Sequence, residues 1–190
     1  MLLEPMLLRL GAARDLTELT DVAVHDFVAL HGAEMGDLQL LAGNGDLVIV
    51  AALGVNRAFL KMFERVSTDC GSACRQAARD RKPRFIADVG TDPTFAAYRD
   101  FAATVPFRSV LSYPLCSAGG GLLGVLSALS SHAFQPTPLE LATAKSYCGQ
   151  LGAAIENAMP AAQLTAWAEA ASAALIKSTP EQLHSRRAAH

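Results

Sequence analysis

Cys74 has the neighbours best suited to chemistry in this sequence. It lies two positions after Ser72, a good N-cap for a helix running Ala73 to Arg81. A thiol in the first turn of a helix meets exposed amides and the positive end of the helix dipole, which lower its pKa. Arg75 and Arg79 would favour the thiolate further, and Cys70 stands close by as a redox partner. The alternative is a small buried residue packing the helix onto a sheet, the common fate of free cysteine. A second group of residues fits a small-molecule pocket. Phe95, Tyr98 and Phe107 are aromatic, and Arg108, Ser112 and Ser127 are polar residues in or beside apolar runs. With Asp88 they form the candidate ligand-binding set. Small residues on a sheet face, roofed by a helix and loops, leave an apolar cleft with a few polar groups, the usual form of such a site. A filled core is the alternative.

Other chemistries find little footing. The phosphate-loop pattern G-x-x-x-x-G-K-[ST] is absent. Gly119-Gly120-Gly121-Leu122-Leu123-Gly124 formally matches G-x-G-x-x-G, but it opens a strand and not a helix, so it reads as a hairpin loop. No G-x-S-x-G or H-E-x-x-H occurs. Asp88, Asp92 and Asp100 each have a structural role available as a cap or loop residue. The four cysteines, Cys70, Cys74, Cys116 and Cys148, lack zinc-site spacing, so no metal is expected and reduced, mostly buried thiols are.

The chain has 190 residues, 51% hydrophobic and 18% charged, which suits one domain and excludes a disordered chain. A formal net charge of -2 shows no basic excess, so no nucleic-acid partner is expected. The longest apolar stretch, Leu47 to Val55, contains Gly54 and falls well short of the roughly 20 residues of a membrane span. The N-terminus has Glu4 and Pro5 and no basic region, a poor signal peptide. A cytoplasmic protein without a membrane partner is the expectation.

These residues must be held by a small set of elements. Leu16, Leu19, Ala23, Phe27 and Leu30 share one helical face, with His25 opposite and Gly32 as a stop. Gly43-Asn44-Gly45-Asp46 lies between the apolar runs Leu38 to Leu41 and Leu47 to Ala52, which predicts a β-hairpin. Asn56 caps a short helix with Phe59, Met62 and Phe63 on one side. The Ser72 helix closes before Pro83, and Phe85 to Ala87 reads as a short strand. Asp92-Pro93 starts another helix, with Phe95, Tyr98, Ala102 and Val105 on one face. Ser109 to Cys116 and Leu122 to Ser130 form a second hairpin, where Gly124 marks a bulge or a close backbone approach. Thr137 and Glu140 make a capping box for a helix from Pro138 to Met159, its buried stripe being Ala144, Tyr147, Cys148, Leu151, Ile155 and Ala158. Beyond Pro160 an alanine-rich helix carries Leu164, Trp167, Ala171 and Leu175. Thr179-Pro180-Glu181-Gln182 reads as another capping box, and His184 to His190 as a frayed end. Antiparallel hairpins backed by helices make an α+β fold.

The motif series resembles the GAF domain family, in the form found in bacterial sensor proteins. The likeness rests on Gly71-Ser72-Ala73-Cys74, Arg79, Pro83, Asp88-Val89, Asp92-Pro93, Phe107-Arg108-Ser109-Val110, Tyr113-Pro114-Leu115, Leu123-Gly124-Val125-Leu126-Ser127 and Ser131-His132-Ala133-Phe134, followed by the capped helix. It spans about Leu16 to Met159. The resemblance implies a GAF/PAS-like fold: a central antiparallel sheet of five or six strands, terminal helices on one face, and short helices and loops over a pocket on the other. It divides the chain into an N-terminal segment 1–15, a GAF domain 16–159 and a helical extension with a tail, 160–190.

Members of this family bind small molecules or pair through their terminal helices. The cyclic-nucleotide signature is not found, and none of the four cysteines is followed by histidine, as bilin attachment often requires. His132, the only histidine near the predicted sheet, sits in the exit loop and not in the pocket where a haem ligand would stand. Cys74 falls where free methionine-R-sulfoxide reductase, an enzymatic GAF family, has one of its cysteines. The region of the catalytic partner, Phe101 to Val105, has none. The expected function is therefore a non-enzymatic sensory or regulatory domain. Its partners would be an unidentified small molecule, a second copy through the terminal helices, and a histidine kinase or other signalling protein, since the chain after Pro160 is too short for an output domain; the other expectation is that the chain is a fragment of a longer protein. The alternative is a thiol enzyme of the sulfoxide-reductase kind or a redox sensor using Cys70 and Cys74. No cofactor is specified.

Overall fold

In a computed structural model, residues 3–104 and 106–178 are described. Six strands form one antiparallel sheet in the order β3-β2-β1-β6-β5-β4. They are β1 (Met35–Leu41), β2 (Leu47–Leu53), β3 (Arg65–Val66), β4 (Arg84–Ile86), β5 (Ser109–Cys116) and β6 (Leu122–Ser130). The fold is the expected α+β one. Both hairpins lie where the glycine-rich turns put them, and β1 and β6 join them along the middle of the sheet. The two-residue β3 has no local sequence signal; it exists because Val66 and Arg65 pair with Leu47 and Val48.

One face of the sheet is covered by α1 (Leu3–Ala12), α2 (Leu16–Leu30) and α6 (Pro138–Ala158). Asp15 caps α2 through the Glu18 amide, and the Thr137–Glu140 capping box of α6 is complete in both directions. The helical stripes meet the sheet through Phe27, Tyr147, Leu151 and Ile155, all fully buried against Leu38, Leu40 and Leu126. Asp26 of α2 is held between Arg9 of α1 (2.6 Å) and the hydroxyl of Tyr147 of α6 (3.1 Å), which ties the three helices together. Ala158 is exposed and not part of the buried stripe, because the helix ends beyond the sheet edge it covers. His31, at the end of α2, is a second histidine near the sheet. It is buried against Phe27, and burial depresses its pKa to about 4.

The opposite face carries α3 (Arg57–Met62), α4 (Ala73–Asp80), a 3-10 helix (Pro93–Tyr98) and the short α5 (Arg99–Ala102). Asn56 caps α3 as expected, and Phe59 and Phe63 turn inward, but Met62 stays 44% exposed. At three residues from Phe59 and one from Phe63 it lies off the narrow stripe that so short a helix presents to the core. The Val105 position of the predicted fourth helical face, the Thr179–Gln182 capping box and the His184–His190 tail lie outside the described residues.

Two glycines permit close backbone approaches, one between neighbouring strands and one between helix and sheet. A Cβ on Gly124 of β6 would meet the backbone carbonyl of Gln39 in β1, so the close approach anticipated there is present. A Cβ on Gly152 of α6 would meet the carbonyl of Cys116 in β5. The neighbour in each case is backbone and cannot rotate away. Gly152→Ala is expected to lift α6 from β5 and lower stability by about 1–3 kcal/mol, the usual effect of overpacking. Urea unfolding showing a lower midpoint at unchanged slope is the check; an unchanged midpoint would mean that α6 sits further from the sheet.

The last helix, α7 (Ala161–Lys177), turns back at Pro160 and runs beside β2. Leu164 and Ala168 join the core under α2, whereas Leu175 joins the core on the other face. The helix therefore passes from one face to the other at the margin of β2, where β3 pairs with only Leu47 and Val48. Arg65 of β3 reaches Glu169 of α7 at 3.8 Å. An otherwise open strand edge is thus covered, the usual protection against edge-to-edge pairing.

Candidate functional site

Side chains alternate across a strand, so β1 sends Leu38 and Leu40 to the helical face and Asp37 and Gln39 to the other. In a central strand covered on both sides, both sets are buried. Asp37 and Gln39 are each 1% exposed. Asp37 stands in register with Ser127 of β6, and Ser127 with Ser112 of β5. A row of polar side chains therefore crosses three strands under the short helices. The Ser112 and Ser127 hydroxyls bond each other at 2.9 Å.

This row floors a cavity with about 30 Å³ of water-accessible space, room for one or two waters. Its walls are Phe59 from α3, Phe63 just past the end of that helix, Phe95 from the 3-10 helix, and Phe107. The rings contact one another edge-on or tilted: Phe59 to Phe63 at 4.8 Å, and Phe107 to both Phe59 and Phe95 at 6.1 Å. Ser72 and Cys74 close the side formed by the start of α4.

Two buried acceptors on the cavity wall, Asp37 Oδ2 and Gln39 Oε1, have no hydrogen-bond partner among the described residues. Burial drives the Asp37 carboxyl up to about 7, only partly opposed by the Gln39 amide. The desolvated carboxylate is disfavoured because the cavity wall offers it no positive charge. Ser72 begins α4 but makes no side-chain cap bond; its hydroxyl instead lies 3.1 Å from the Cys74 sulfur and 3.2 Å from the Cys70 sulfur. Cys70 in turn meets the Tyr98 hydroxyl at 2.7 Å. Burial, with the Asp37 charge adding to it, pushes the Cys74 thiol up to about 12, opposite to the direction that a helix terminus alone would give. Arg75 and Arg79 do not counter this: Arg75 bonds the carbonyls of Thr68 and Gly45, and Arg79 pairs with Asp80 at the surface. All four cysteines stand as free thiols, Cys74 and Cys148 buried.

Of the residues singled out from sequence, Phe95, Phe107, Ser112, Ser127 and Cys74 line the cavity. Tyr98 and Cys70 lie just outside it, Tyr98 packing on Phe95 at 5.3 Å. Asp88 and Arg108 are elsewhere. They pair with each other at 2.7 Å at the surface, and Asp88 also accepts the Gly90 amide. The guanidinium beside it holds the Asp88 carboxyl below its ordinary range. Sequence reasoning passed over Asp37, Gln39, Phe59 and Phe63 as site residues. The available signal was the alternation Asp37-Leu38-Gln39-Leu40, two polar side chains at every second position of an otherwise apolar strand. Among the described residues, no group of three or more His, Cys, Asp or Glu side chains is placed to hold a metal ion, and no helix is long and apolar enough to cross a membrane.

A family profile described as a GAF domain matches residues 13–156. No curated protein matches this chain. Among solved structures, the GAF domain of an Acinetobacter phosphoenolpyruvate-protein phosphotransferase is similar at a TM-score of 0.69 and 14% identity, over 83% of this chain and 92% of that one. The corresponding domain from Coxiella burnetii gives a TM-score of 0.68 and 21% identity over the same shares. The phycoerythrobilin-bound GAF domain of a cyanobacterial phytochrome gives 0.63 and 14%, over 83% of this chain and 94% of that one. At these identities the likeness is one of fold.

Proposed function

The chain belongs to the GAF domain family, and on that premise we propose that it is a non-enzymatic sensory domain that takes a small molecule into the cavity between the sheet and α3. The observation that carries this reading is the pair of unpartnered acceptors, Asp37 Oδ2 and Gln39 Oε1, on the wall of that cavity. A buried acceptor without a partner costs about 1–3 kcal/mol, and native interiors retain few of them. A ligand that completes both supplies the reason for keeping them.

The binding set drawn from this is Phe95, Phe107, Ser112 and Ser127 with Asp37 and Gln39 added; Tyr98 backs it, and Asp88 and Arg108 act from outside as a clasp between β5 and the preceding loop. Occupancy is read out through α3. Phe59 lines the cavity, Leu60 beside it shares a buried cluster with Leu175, and α3 lies against α7. A ligand that moves Phe59 thus moves the seat of the last helix. The outward face of α7 bears Ala162, Ala166, Ala170 and Ala174, all exposed and four residues apart, which supports pairing with a second copy. The dimer, or a histidine kinase or other signalling protein, would receive the signal there. The raised Cys74 thiol supports the non-enzymatic reading over a thiol enzyme.

Native mass spectrometry of freshly purified protein tests both parts. The expected result is a dimer carrying a small-molecule mass excess, and loss of that excess in Ser112→Leu, whose side chain fills the cavity. Bare wild-type protein would count against the ligand, and monomer alone at high concentration against the dimer. Turnover of free methionine sulfoxide that Cys74→Ser abolishes would replace this reading with the enzymatic one.

A further inference from the structure

Resting on the reading of this cavity as a small-molecule site, we propose that its ligand presents a compact cationic head with N–H donors, a primary ammonium or an amidinium, seated on Asp37 and Gln39. The argument begins with what the wall offers. Both unpartnered atoms are acceptors, one a carboxylate oxygen and one an amide carbonyl oxygen. They lie one alternation apart on β1, so they point into the same space. The hydroxyls of Ser112 and Ser127 bond each other and still offer a lone pair, a third acceptor beside the first two. An ammonium brings three donors to three acceptors, and an amidinium brings a planar pair.

Charge points the same way. Among the described residues, Asp37 is the only formally charged side chain lining the cavity, and no Lys, Arg or His does so. Arg84, in register with Ser112 at the far end of the polar row, bonds Thr94 at 3.0 Å and faces Asp92 at 3.9 Å; its Nε has no partner among the described residues, and it does not line the cavity. Among the described residues none pairs the Asp37 carboxylate with a positive charge, a role that an entering cation would fill. An anion would meet the Asp37 carboxylate and the bare Gln39 carbonyl, with no cation among the lining residues to hold it. Four aromatic rings, Phe59, Phe63, Phe95 and Phe107, share the rest of the wall with Val110, Leu129 and the start of α4. Ring faces attract ammonium and guanidinium groups and add affinity once water is excluded. The space suits about one or two heavy atoms, the nitrogen of the head group and the carbon next to it, in place of the one or two waters that it admits.

The pH dependence follows from the groups facing Asp37. These are Cys74 on α4 and, behind Ser72, Cys70 and Tyr98; burial pushes Cys74 and Tyr98 up, so neither becomes anionic near neutrality. Asp37, at about 7 when the cavity is empty, must ionise to hold a cation. Affinity for a permanently protonated amine is therefore expected to rise about ten-fold from pH 6 to pH 8.

Three probes of matched shape test this on the full chain: propylamine, propionamide and propionate. Each is titrated at pH 6 and pH 8 while the Gln39 side-chain amide and the Ser127 resonances are followed by NMR. The expected result is saturable shifts with propylamine alone, tighter at pH 8, and their loss in Asp37→Asn. Shifts with propionamide or propionate in place of propylamine would overturn the cationic head while leaving a small-molecule cavity standing. Equal binding of propylamine to Asp37→Asn would overturn it as well. Silence from all three probes would take away the cavity reading itself.

Discussion

Asp37→Asn is expected to make the unliganded protein more resistant to unfolding as the pH rises, with an advantage over wild type that grows by about 3 kcal/mol between pH 5 and pH 8. The carboxyl sits at about 7 in the folded protein and at 3.8 ordinarily. Between those values the folded state holds a proton that the unfolded chain has released. Asp37 therefore supports folding at low pH, and that support is lost as pH rises through about 7. Asparagine has no proton to lose, so the difference between the two proteins isolates this group. His31 works in the opposite sense: its depressed value, about 4 against 6.5, weakens the fold as pH falls through that interval. It is present in both proteins and cancels. Urea unfolding of wild type and variant at pH 5 and pH 8 is the measurement. A difference that does not change with pH would show that the carboxylate is already hydrated or paired, and the buried-acceptor account of the cavity would fail. A more stable variant that no longer holds its ligand is the common exchange at a binding site, where an unfavourable group is kept for function.

Ending the chain after Pro160 should have the next largest effect. The truncated protein loses Leu164, Ala168, Ser172 and Leu175, all buried along α7, together with half-buried Trp167. Two buried leucines at about 1.5–3 kcal/mol each, with part of an indole, make a loss of about 5 kcal/mol reasonable, a large share of the roughly 5–15 kcal/mol of a typical domain. Removal also bares β2 beyond its short pairing with β3. Chemical unfolding should show a much lower midpoint, and light scattering should show association driven by the open edge. A truncated chain as stable and as dispersed as the whole would mean that α7 is not docked in solution, and the proposed route from Phe59 through α3 to α7 would lose its last step.

Much of the fold was legible because its signals are local. The turn at Gly43–Asp46, the Asn56 and Asp92 caps and the Thr137–Glu140 box act over a few residues, and each appears where the sequence put it. The errors have one physical character. Met62 lies to one side of the stripe that Phe59, Leu60 and Phe63 bury, and Ala158 keeps the helical period but is exposed at the end of α6. Cys74 occupies the helix start that lowers a thiol's pKa, yet burial and the Asp37 charge, both supplied by distant segments, outweigh the dipole. Ser72 was read as a cap, but its hydroxyl is taken up by two thiols that only the fold brings near. The candidate site divides along the same line. Aromatic residues and small polar residues inside apolar runs could be picked out one by one, but the surface pairing of Asp88 with Arg108 could not.

By itself, then, the sequence determined the two hairpins, the capped helices and an α+β order of elements that lacked only α1 and β3, because periodicity, turns and caps are short-range physics; the sensor family came from the resemblance of its motif series. Tertiary structure decided that β1 is central and covered on both sides, which turns an ordinary alternation of Asp37 and Gln39 with leucines into two desolvated acceptors facing an aromatic cavity. It also decided that the last helix returns to the sheet margin. Burial sums over neighbours far apart in the chain, and it is burial that sets which polar groups lack a partner and how strongly they hold a proton.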